Sequence, residues 1–286
     1  MRLKEVFAFV NNKGGVGKTT TVQTVAAGIL RKDPSAKVLC IDLDSQGSLS
    51  RQLGWWEKQK EYSKQELSYT IANALTDGME GGSIPVFKKQ DRWYYTPACR
   101  QLVHIDNTLN SQMQPKKVLE LLFGAPLLDM TGCSQKDQKP EGLGLIQDEF
   151  DYVLIDCAPS LSVLTLNAIT VSSGVVIPVQ LEGMAIEGLG NIIQACEQVK
   201  KELNPDLDIR GILLCMADER TNVTKDLDKH LRARYSDMVF KNRVRRSVKM
   251  VEAQLQLTDI FEYAPTSTCA KDYSAFIDEL LNTNNQ

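Results

Sequence analysis

Glycines, lysines and threonines are concentrated in one short stretch near the N-terminus, residues 10–20, with the sequence VNNKGGVGKTT. An apolar run at residues 6–10 precedes it, and apolar residues at helical spacing follow it from Val22 to Leu30. A glycine-rich loop between a strand and a helix can surround phosphate oxygens with backbone N–H groups, because no side chain obstructs them. A helix that begins near Gly17 adds its positive dipole end, which favours an anion. This stretch therefore predicts a phosphate-binding loop.

Two side chains of the loop are suited to a nucleotide and its metal ion. Lys18 can reach the outer phosphates, and the Thr19 hydroxyl can ligate Mg²⁺. The loop departs from the usual G-x-x-x-x-G-K-[ST] pattern, because Asn12 stands where the first glycine is expected. The other loop residues predicted to contact the nucleotide are Gly14, Gly15, Val16, Gly17 and Thr20.

Two later segments are predicted to be buried strands that end in carboxylates. Residues 37–44, KVLCIDLD, end in Asp42 and Asp44, and residues 152–156, YVLID, end in Asp156. An acid at the end of an apolar strand can hold Mg²⁺ through its water shell. Because α/β sheets bind ligands at the C-terminal ends of their strands, these acids are expected beside the loop. Neither acid motif is specific evidence by itself. Apolar strands that end in an aspartate are common, and the aspartate pair could merely cap the next helix.

Taken together, the three motifs resemble the ParA/MinD family of ATPases, whose loop has the deviant form K-G-G-x-G-K-T-T. The aspartate pair matches the family motif D-x-D-P-Q-G, with Ser45 in place of the proline, and residues 152–160 match its third motif. The resemblance implies a doubly wound, mostly parallel α/β sheet with helices on both faces and P-loop NTPase architecture. It extends over nearly all of a single domain, residues 1–286, apart from less regular segments at about 55–95 and 124–147.

The resemblance also implies roles for particular residues, with ATP and Mg²⁺ as cofactors. In the family two subunits enclose two ATP molecules, and the lysine equivalent to Lys13 crosses to the nucleotide of the other subunit. By position, Asp44 should orient the attacking water and Asp42 should support the metal shell. The metal set would be Thr19, Asp42 and Asp156, the catalytic set Lys13, Lys18 and Asp44, with Met216 near the adenine.

The formal net charge of −3 is unevenly distributed along the chain. Residues 218–249 carry a net charge of +5, whereas the rest of the chain carries −8. Such asymmetry indicates contact with a polyanion, although a solvated charged face would look the same. Part of this segment resembles family motifs that bind DNA without sequence preference. The DNA-binding residues predicted on this basis are Arg220, Arg243, Arg245, Arg246 and Lys249.

The predicted function is that of a DNA partition ATPase, which dimerises on ATP, binds DNA non-specifically and is released on hydrolysis. A ParB-type centromere-binding protein is the expected stimulating partner. One alternative is a MinD-like ATPase that positions a protein cargo. The C-terminal helix has acids where a membrane-binding helix needs lysines, so no membrane contact is expected. A second alternative is an iron–sulfur reductase like the nitrogenase iron protein, using Cys99 and Cys133, although neither lies in a glycine-rich context.

The composition fits a globular protein, with 43% hydrophobic and 24% charged residues. The N-terminus leads straight into a strand without a signal peptide, so a cytosolic protein is expected. The predicted DNA binding implies that it associates with the nucleoid. The seven cysteines include no C-x-x-C pair. Cys40, Cys157 and Cys215 lie in apolar runs and are therefore predicted to be small core residues.

Overall fold

The computed structural model describes residues 2–58, 69–77, 82–131, 141–182, 187–218 and 222–282. These residues form one mixed sheet whose strands lie in the order β6-β5-β3-β4-β2-β7-β1-β8-β9. The strands are β1 (Glu5–Phe9), β2 (Val38–Asp42), β3 (Pro85–Gln90), β4 (Trp93–Thr96), β5 (Leu128–Asp129), β6 (Glu141–Gly142), β7 (Tyr152–Asp156), β8 (Gly174–Gln180) and β9 (Asp208–Cys215).

The six strands from β4 to β9 across the sheet pair in parallel, as the sequence predicts. Antiparallel pairing is confined to β3 with β4 and β5 with β6, at one side of the sheet. The register aligns the ends of the central strands, because Asp156 is opposite both Phe9 and Asp42. The fold is thus the predicted mostly parallel α/β architecture.

Helices cover both faces of the sheet, which explains why its central strands are apolar throughout. Val6 and Ala8 of β1 belong to one hydrophobic core, and Phe7 and Phe9 belong to the other. The helices are α1 (Lys18–Lys32), α2 (Ser48–Gln52), α3 (Trp55–Lys58), α4 (Ile71–Asp77), α5 (Ile105–Asn110), α6 (Val118–Phe123), α7 (Ile146–Glu149), α8 (Val163–Val171), α9 (Glu187–Glu202), α10 (Asn222–Tyr235), α11 (Val248–Leu255), α12 (Ile260–Tyr263) and α13 (Thr268–Asn282), with 3-10 turns at Arg100–His104 and Ser236–Met238.

The two segments expected to be less regular meet at one edge of the sheet. β3 comes from the first segment, β5 and β6 from the second, and β3 pairs with β5. Trp55, in the first of these segments, is buried, with its ring centroid 4.7 Å from that of Phe87 on β3. Its neighbour Trp56 is 48% exposed. The burial of Trp55 depends on a strand about thirty residues away, which no local pattern reveals.

The C-terminal helix α13 packs along α1. Its apolar face includes Tyr273, Phe276 and Ile277, all of which are buried. The two helices approach closely at Gly28, where an added Cβ would lie 2.3 Å from the Ile277 side chain. Within the described parts of the chain, we find no helix with the length and apolar character needed to cross a membrane.

Candidate active site

The loop after β1 and the acids that end β2 and β7 meet at the C-terminal ends of the central parallel strands. β7 lies between β1 and β2, and the register places Asp156 between Phe9 and Asp42. The loop that follows Phe9 therefore begins next to both carboxylates. The structure thus brings together the loop and both acid motifs, although Thr19 and Asp156 are 137 residues apart in sequence.

The loop backbone is shaped by its glycines. Gly15 and Gly17 have φ angles of +75° and +96°, a region that side chains strongly disfavour. Within the described structure, a Cβ added at Gly14 or Gly15 would meet no atom within 4 Å, so the loop borders open space. Gly17 is also the N-cap of the fifteen-residue helix α1. The first N–H groups of a helix have no partner inside it, and they are therefore available to an anion.

The Lys18 side chain is 7% exposed and bends back over the loop. Its ammonium donates hydrogen bonds to the carbonyl oxygens of Asn11, at 3.1 Å, and Lys13, at 3.0 Å. Burial lowers the pKa of Lys18, and the nearby Asp156 carboxylate opposes this shift. Among the described residues the ammonium donates to carbonyl oxygens and not to a carboxylate. Phosphate oxygens would therefore stabilise this cation, since a charged group in a poorly solvated place needs an opposite charge.

Asp156 and Thr19 form the centre of the candidate metal site. The Thr19 hydroxyl donates a 2.7 Å hydrogen bond to Asp156 Oδ2. Asp156 Oδ1 is buried, and no hydrogen-bond partner for it exists among the described residues. Burial raises the pKa of Asp156, and the neighbouring Asp42 raises it further. A buried carboxylate oxygen that lacks a donor fits Mg²⁺ or a water bound to it, because Mg²⁺ prefers oxygen ligands.

Asp42 is held by three hydrogen bonds from the protein. Its Oδ2 accepts from the Ser50 backbone N–H at 2.8 Å and the Ser50 hydroxyl at 2.6 Å, and its Oδ1 accepts from the Asp44 N–H at 3.1 Å. Burial raises the pKa of Asp42 to about 6, although the Ser50 hydrogen bonds act in the opposite direction. Because both carboxylate oxygens already have donors, Asp42 suits a supporting position behind the metal better than a direct one.

Asp44 lies on the turn that connects β2 to α2 and is half-buried. Its Oδ1 accepts from the Gln46 N–H at 2.9 Å, and its carbonyl accepts from the Gly47 N–H at 2.8 Å. Gly47 has a φ of +62°, which closes the turn. The Asp44 side chain is therefore fixed at the rim of the site, where water can reach it.

Lys13 points away from the loop toward the segment after β8. Its ammonium lies 2.8 Å from Glu182 Oε2, and Gln180 donates to the other oxygen of the same carboxylate at 2.6 Å. The hydrogen bond from Lys13 is the main cause of a lowered pKa of Glu182. Both partners are half exposed, so solvent weakens this ion pair. Sequence reasoning did not pair Glu182 with Lys13, because 169 residues separate them.

A cavity of about 370 Å³ begins beside the loop, at Gly17 and Thr20. Met216, expected near the adenine, lines it and has a φ of +52°. Gln254 on α11 donates a 2.7 Å hydrogen bond to Thr20 Oγ1 and so joins the cavity wall to α1. A mostly apolar cavity next to a phosphate loop suits a flat aromatic base. Other lining residues that sequence reasoning missed include Val244, Met250, Val251 and Tyr273.

The residues predicted to bind DNA differ in their environments. Arg243 lies 3.1 Å from Asp228, and the Arg245 guanidinium donates two hydrogen bonds to Asp272, at 2.9 and 2.5 Å. Lys249 lies 2.8 Å from Glu252. Arg246 is exposed, near Glu182, whereas Arg220 lies outside the described residues. Asp228 is already counted in the net charge of residues 218–249, whereas Asp272 and Glu252 lie outside that segment and further reduce the positive field that DNA would meet.

The cysteines behave largely as core residues. Cys40, Cys157 and Cys215 are buried, as predicted, and burial raises the pKa of the Cys40 and Cys215 thiols to about 12. Cys99 is half-buried and accepts a hydrogen bond from Thr70, whereas Cys133 lies outside the described residues. Among the residues that the structure covers, no group of three or more histidine, cysteine, aspartate or glutamate side chains is arranged to hold a metal ion.

Comparison with known proteins agrees with this arrangement. A family model described as an AAA domain matches residues 4–209. The chromosome-partitioning ATPase Soj of Thermus thermophilus is 34% identical over 276 residues, which cover 96% of this chain and 94% of that protein. The sporulation initiation inhibitor protein Soj of Bacillus subtilis is 32% identical over 273 residues, covering 94% and 95% of the two chains.

Solved structures agree as well. Cobyrinic acid a,c-diamide synthase from Mycobacterium smegmatis, solved with an ATP analogue and magnesium, superposes with a TM-score of 0.72 at 26% identity. The superposition covers 99% of this chain and 97% of that one. The partition ATPases match the chain almost from end to end, and the loop and both acid motifs lie together at one edge of the sheet. The chain therefore belongs to the ParA/MinD family of deviant Walker A ATPases.

Proposed function

We propose that this protein is a Mg²⁺-dependent partition ATPase that hydrolyses ATP to ADP and phosphate. One observation carries the proposal: the Thr19 hydroxyl lies 2.7 Å from Asp156 at the mouth of a glycine loop that also buries Lys18. This arrangement supports binding of a nucleotide together with its metal. The names of the relatives support partition as the process, and a single ATPase unit of residues 1–286 is the form we propose.

The residues of the site have complementary tasks in this proposal. The loop N–H groups and Lys18 bind the phosphates, since they form an electropositive pocket at the start of α1. Thr19 and Asp156 would hold Mg²⁺, with Asp42 behind them. When bound there, Mg²⁺ would neutralise charge on the phosphate oxygens. Asp44 orients the attacking water from the rim, and the Met216 cavity takes the base.

Dimerisation on ATP is part of the proposal. Lys13 is exposed and reaches outward to Glu182, so it is available to the nucleotide of a second copy. ATP can drive such pairing only if it binds the dimer much more tightly than the monomer. Lys13 would then exchange its weak ion pair with Glu182 for a phosphate in a poorly solvated interface, where Coulomb attraction is stronger.

DNA is the proposed cargo, bound through the basic segment of residues 218–249 and released on hydrolysis. Arg246 is the best supported of the candidate residues, because it is exposed and lies on the same side as Glu182 and Lys13. A ParB-type centromere-binding protein would stimulate hydrolysis. A protein cargo, as in MinD-like ATPases, is the alternative, and the acids that face Arg243 and Arg245 are the observation in its favour.

The test combines ATP hydrolysis with DNA binding. The purified protein should release phosphate from ATP only when Mg²⁺ is present. With a slowly hydrolysed ATP analogue it should sediment as a dimer and bind unrelated DNA duplexes equally well, whereas with ADP it should do neither. Hydrolysis and dimerisation without any DNA binding would favour the protein-cargo alternative. Absence of hydrolysis would refute the ATPase proposal.

A further inference from the structure

Ser50 connects three parts of the molecule and has no role in the function proposed so far. It lies in the first turn of α2 and is 1% exposed. Its hydroxyl oxygen accepts a 2.9 Å hydrogen bond from the Ala98 N–H, which follows β4. An N–H group can only donate, so the hydroxyl hydrogen must point elsewhere. It points to Asp42 Oδ2, 2.6 Å away.

The hydrogen bonds continue from Asp42 to the turn that carries Asp44. Asp42 Oδ2 accepts from both the hydroxyl and the N–H of Ser50, so this oxygen cannot rotate without losing two donors. The other oxygen, Oδ1, accepts from the Asp44 N–H at 3.1 Å. A buried carboxylate with donors on both oxygens has one orientation, and the Asp44 backbone is attached to it.

We propose that Ser50 is a positioning residue for hydrolysis, which fixes Asp42 and, through Asp42, the backbone of Asp44. The inference deepens the proposed function and rests on it. Ser50 would not touch the nucleotide, so nucleotide binding does not depend on it. The step that depends on it is the alignment of Asp44 with the attacking water, because small misplacements of a catalytic group slow a reaction strongly.

The cavity beside Ser50 leaves room to replace this residue by a slightly larger one as well as by a smaller one. Ser50 borders a cavity of about 560 Å³ that is also lined by Gly47, Ala98 and Trp56. A threonine at this position retains the hydroxyl and can direct its extra methyl group toward that cavity. Ser50→Ala removes the hydroxyl donor to Asp42 and leaves the Ala98 N–H without its acceptor.

A second buried serine provides the matched control. Ser172, beside the end of α8, is 0% exposed, and its hydroxyl donates a 2.7 Å hydrogen bond to the Ala168 carbonyl. It precedes β8 and therefore lies at the N-terminal ends of the parallel strands, whereas the site lies at their C-terminal ends. Ser172→Ala removes a similarly buried hydroxyl, so it reports the cost to folding without any effect on Asp42.

The experiment measures turnover, nucleotide affinity and dimer lifetime in the same variants. Ser50→Ala should lower kcat by roughly tenfold or more, as expected for a misplaced catalytic group. Its dissociation constant for a slowly hydrolysed ATP analogue should stay within about twofold of the parent value, with Mg²⁺ or with EDTA. Its dimer should persist in ordinary ATP for longer than that of the parent. Ser50→Thr should restore most of the turnover.

Several results would overturn the inference. They are parental kcat in Ser50→Ala, nucleotide binding weakened as much as turnover, failure of Ser50→Thr to recover, or an equal loss of kcat in Ser172→Ala. Thermal unfolding midpoints of all variants show whether Ser50→Ala has a general folding defect. If it has one, the inference is judged by the turnover of Ser50→Thr. If the unmodified protein hydrolyses ATP and only the Ser50 results fail, the proposed function stands. If the unmodified protein does not hydrolyse ATP, the proposed function itself fails.

Discussion

The nucleotide edge, where the loop of residues 10–20 meets the acids of β2 and β7, and the basic segment of residues 218–249 both contain charged side chains. The two regions differ in how far those charges are buried. At the nucleotide edge Lys18, Asp42 and Asp156 are buried, and each is oriented by hydrogen bonds to the protein. In the basic segment Arg246 and Lys249 are exposed, and Arg243 and Arg245 already have acidic partners. Buried charges interact strongly because water is excluded, whereas exposed charges are screened. Single substitutions should therefore have large effects at the first region and small, salt-dependent effects at the second.

The largest effect is expected from Lys18→Ala. The outer phosphates would lose a buried cation, and loss of one partner of a buried charge pair commonly costs several kcal/mol. ATP affinity should fall on the order of 100-fold or more, as measured by titration with a fluorescent ATP analogue. Lys32→Ala is the matched control, because Lys32 ends the same helix and forms a surface ion pair with Asp278. Near-parental affinity in Lys18→Ala would remove this lysine from the phosphate site.

Asp44→Ala should separate binding from hydrolysis. The variant should bind ATP like the parent and lose on the order of 100-fold in kcat, because the attacking water would no longer be oriented. Sedimentation should show a dimer that persists in ATP. Asp91→Ala, on an exposed turn between β3 and β4, should change neither quantity. Hydrolysis at the parental rate by Asp44→Ala would exclude the role proposed for Asp44.

Lys13→Gln tests whether an exposed charge at the nucleotide edge acts across a dimer interface. Binding of ATP to the monomer should be nearly unchanged, whereas dimerisation with a slowly hydrolysed analogue should be lost. The control is Lys4→Gln, since Lys4 and Lys13 are each 47% exposed and each form an ion pair. Analytical ultracentrifugation provides the measurement. A normal dimer from Lys13→Gln would make Lys13 an ordinary loop residue.

Arg246→Ala should have a smaller effect, and one that depends on salt. Affinity for unrelated duplexes should fall about equally, because phosphate contacts carry no sequence information. The slope of log affinity against log salt should decrease by about 0.9 for each DNA phosphate that the variant no longer neutralises. ATP-dependent dimerisation should be intact, and Arg31→Ala, on an exposed part of α1, should bind DNA normally.

A combined variant extends this test to the rest of the segment. Neutralising Arg245, Arg246 and Lys249 together should reduce DNA binding further. Unchanged binding by that variant, or equally strong binding without nucleotide, would contradict DNA contact through this segment. The protein-cargo alternative would then be preferred.

The smallest effect is expected from Glu182→Gln. This change removes the partner that holds Lys13 in the monomer, so ATP-dependent dimerisation should become tighter by no more than a few-fold, since exposed ion pairs are weak. The dimerisation constant in a slowly hydrolysed ATP analogue is the quantity to measure. Weaker dimerisation would indicate that Glu182 supports the interface rather than competing for Lys13.

Local sequence determined the central strands and their motifs. Apolar runs that end in acids predicted β2 and β7, and the strand, glycine loop and helix around Lys18 predicted the start of the chain. The general rule that ligands bind at the C-terminal ends of parallel strands then predicted that these motifs would meet. These features were predictable because each depends on residues that are close together in sequence or on a property of all such sheets.

Only the tertiary structure decided which groups surround those motifs. Ser50 joins Ala98 to Asp42, Glu182 holds Lys13, and Asp272 neutralises Arg245, yet none of these contacts follows from spacing along the chain. The same holds for the cavity between Gly17 and Gln254. Hydrogen bonds and ion pairs act over a few ångströms, whereas their partners are 8 to 169 residues apart here. The sequence by itself therefore determined the chemistry available at the site, and folding decided how each charged group is oriented and neutralised.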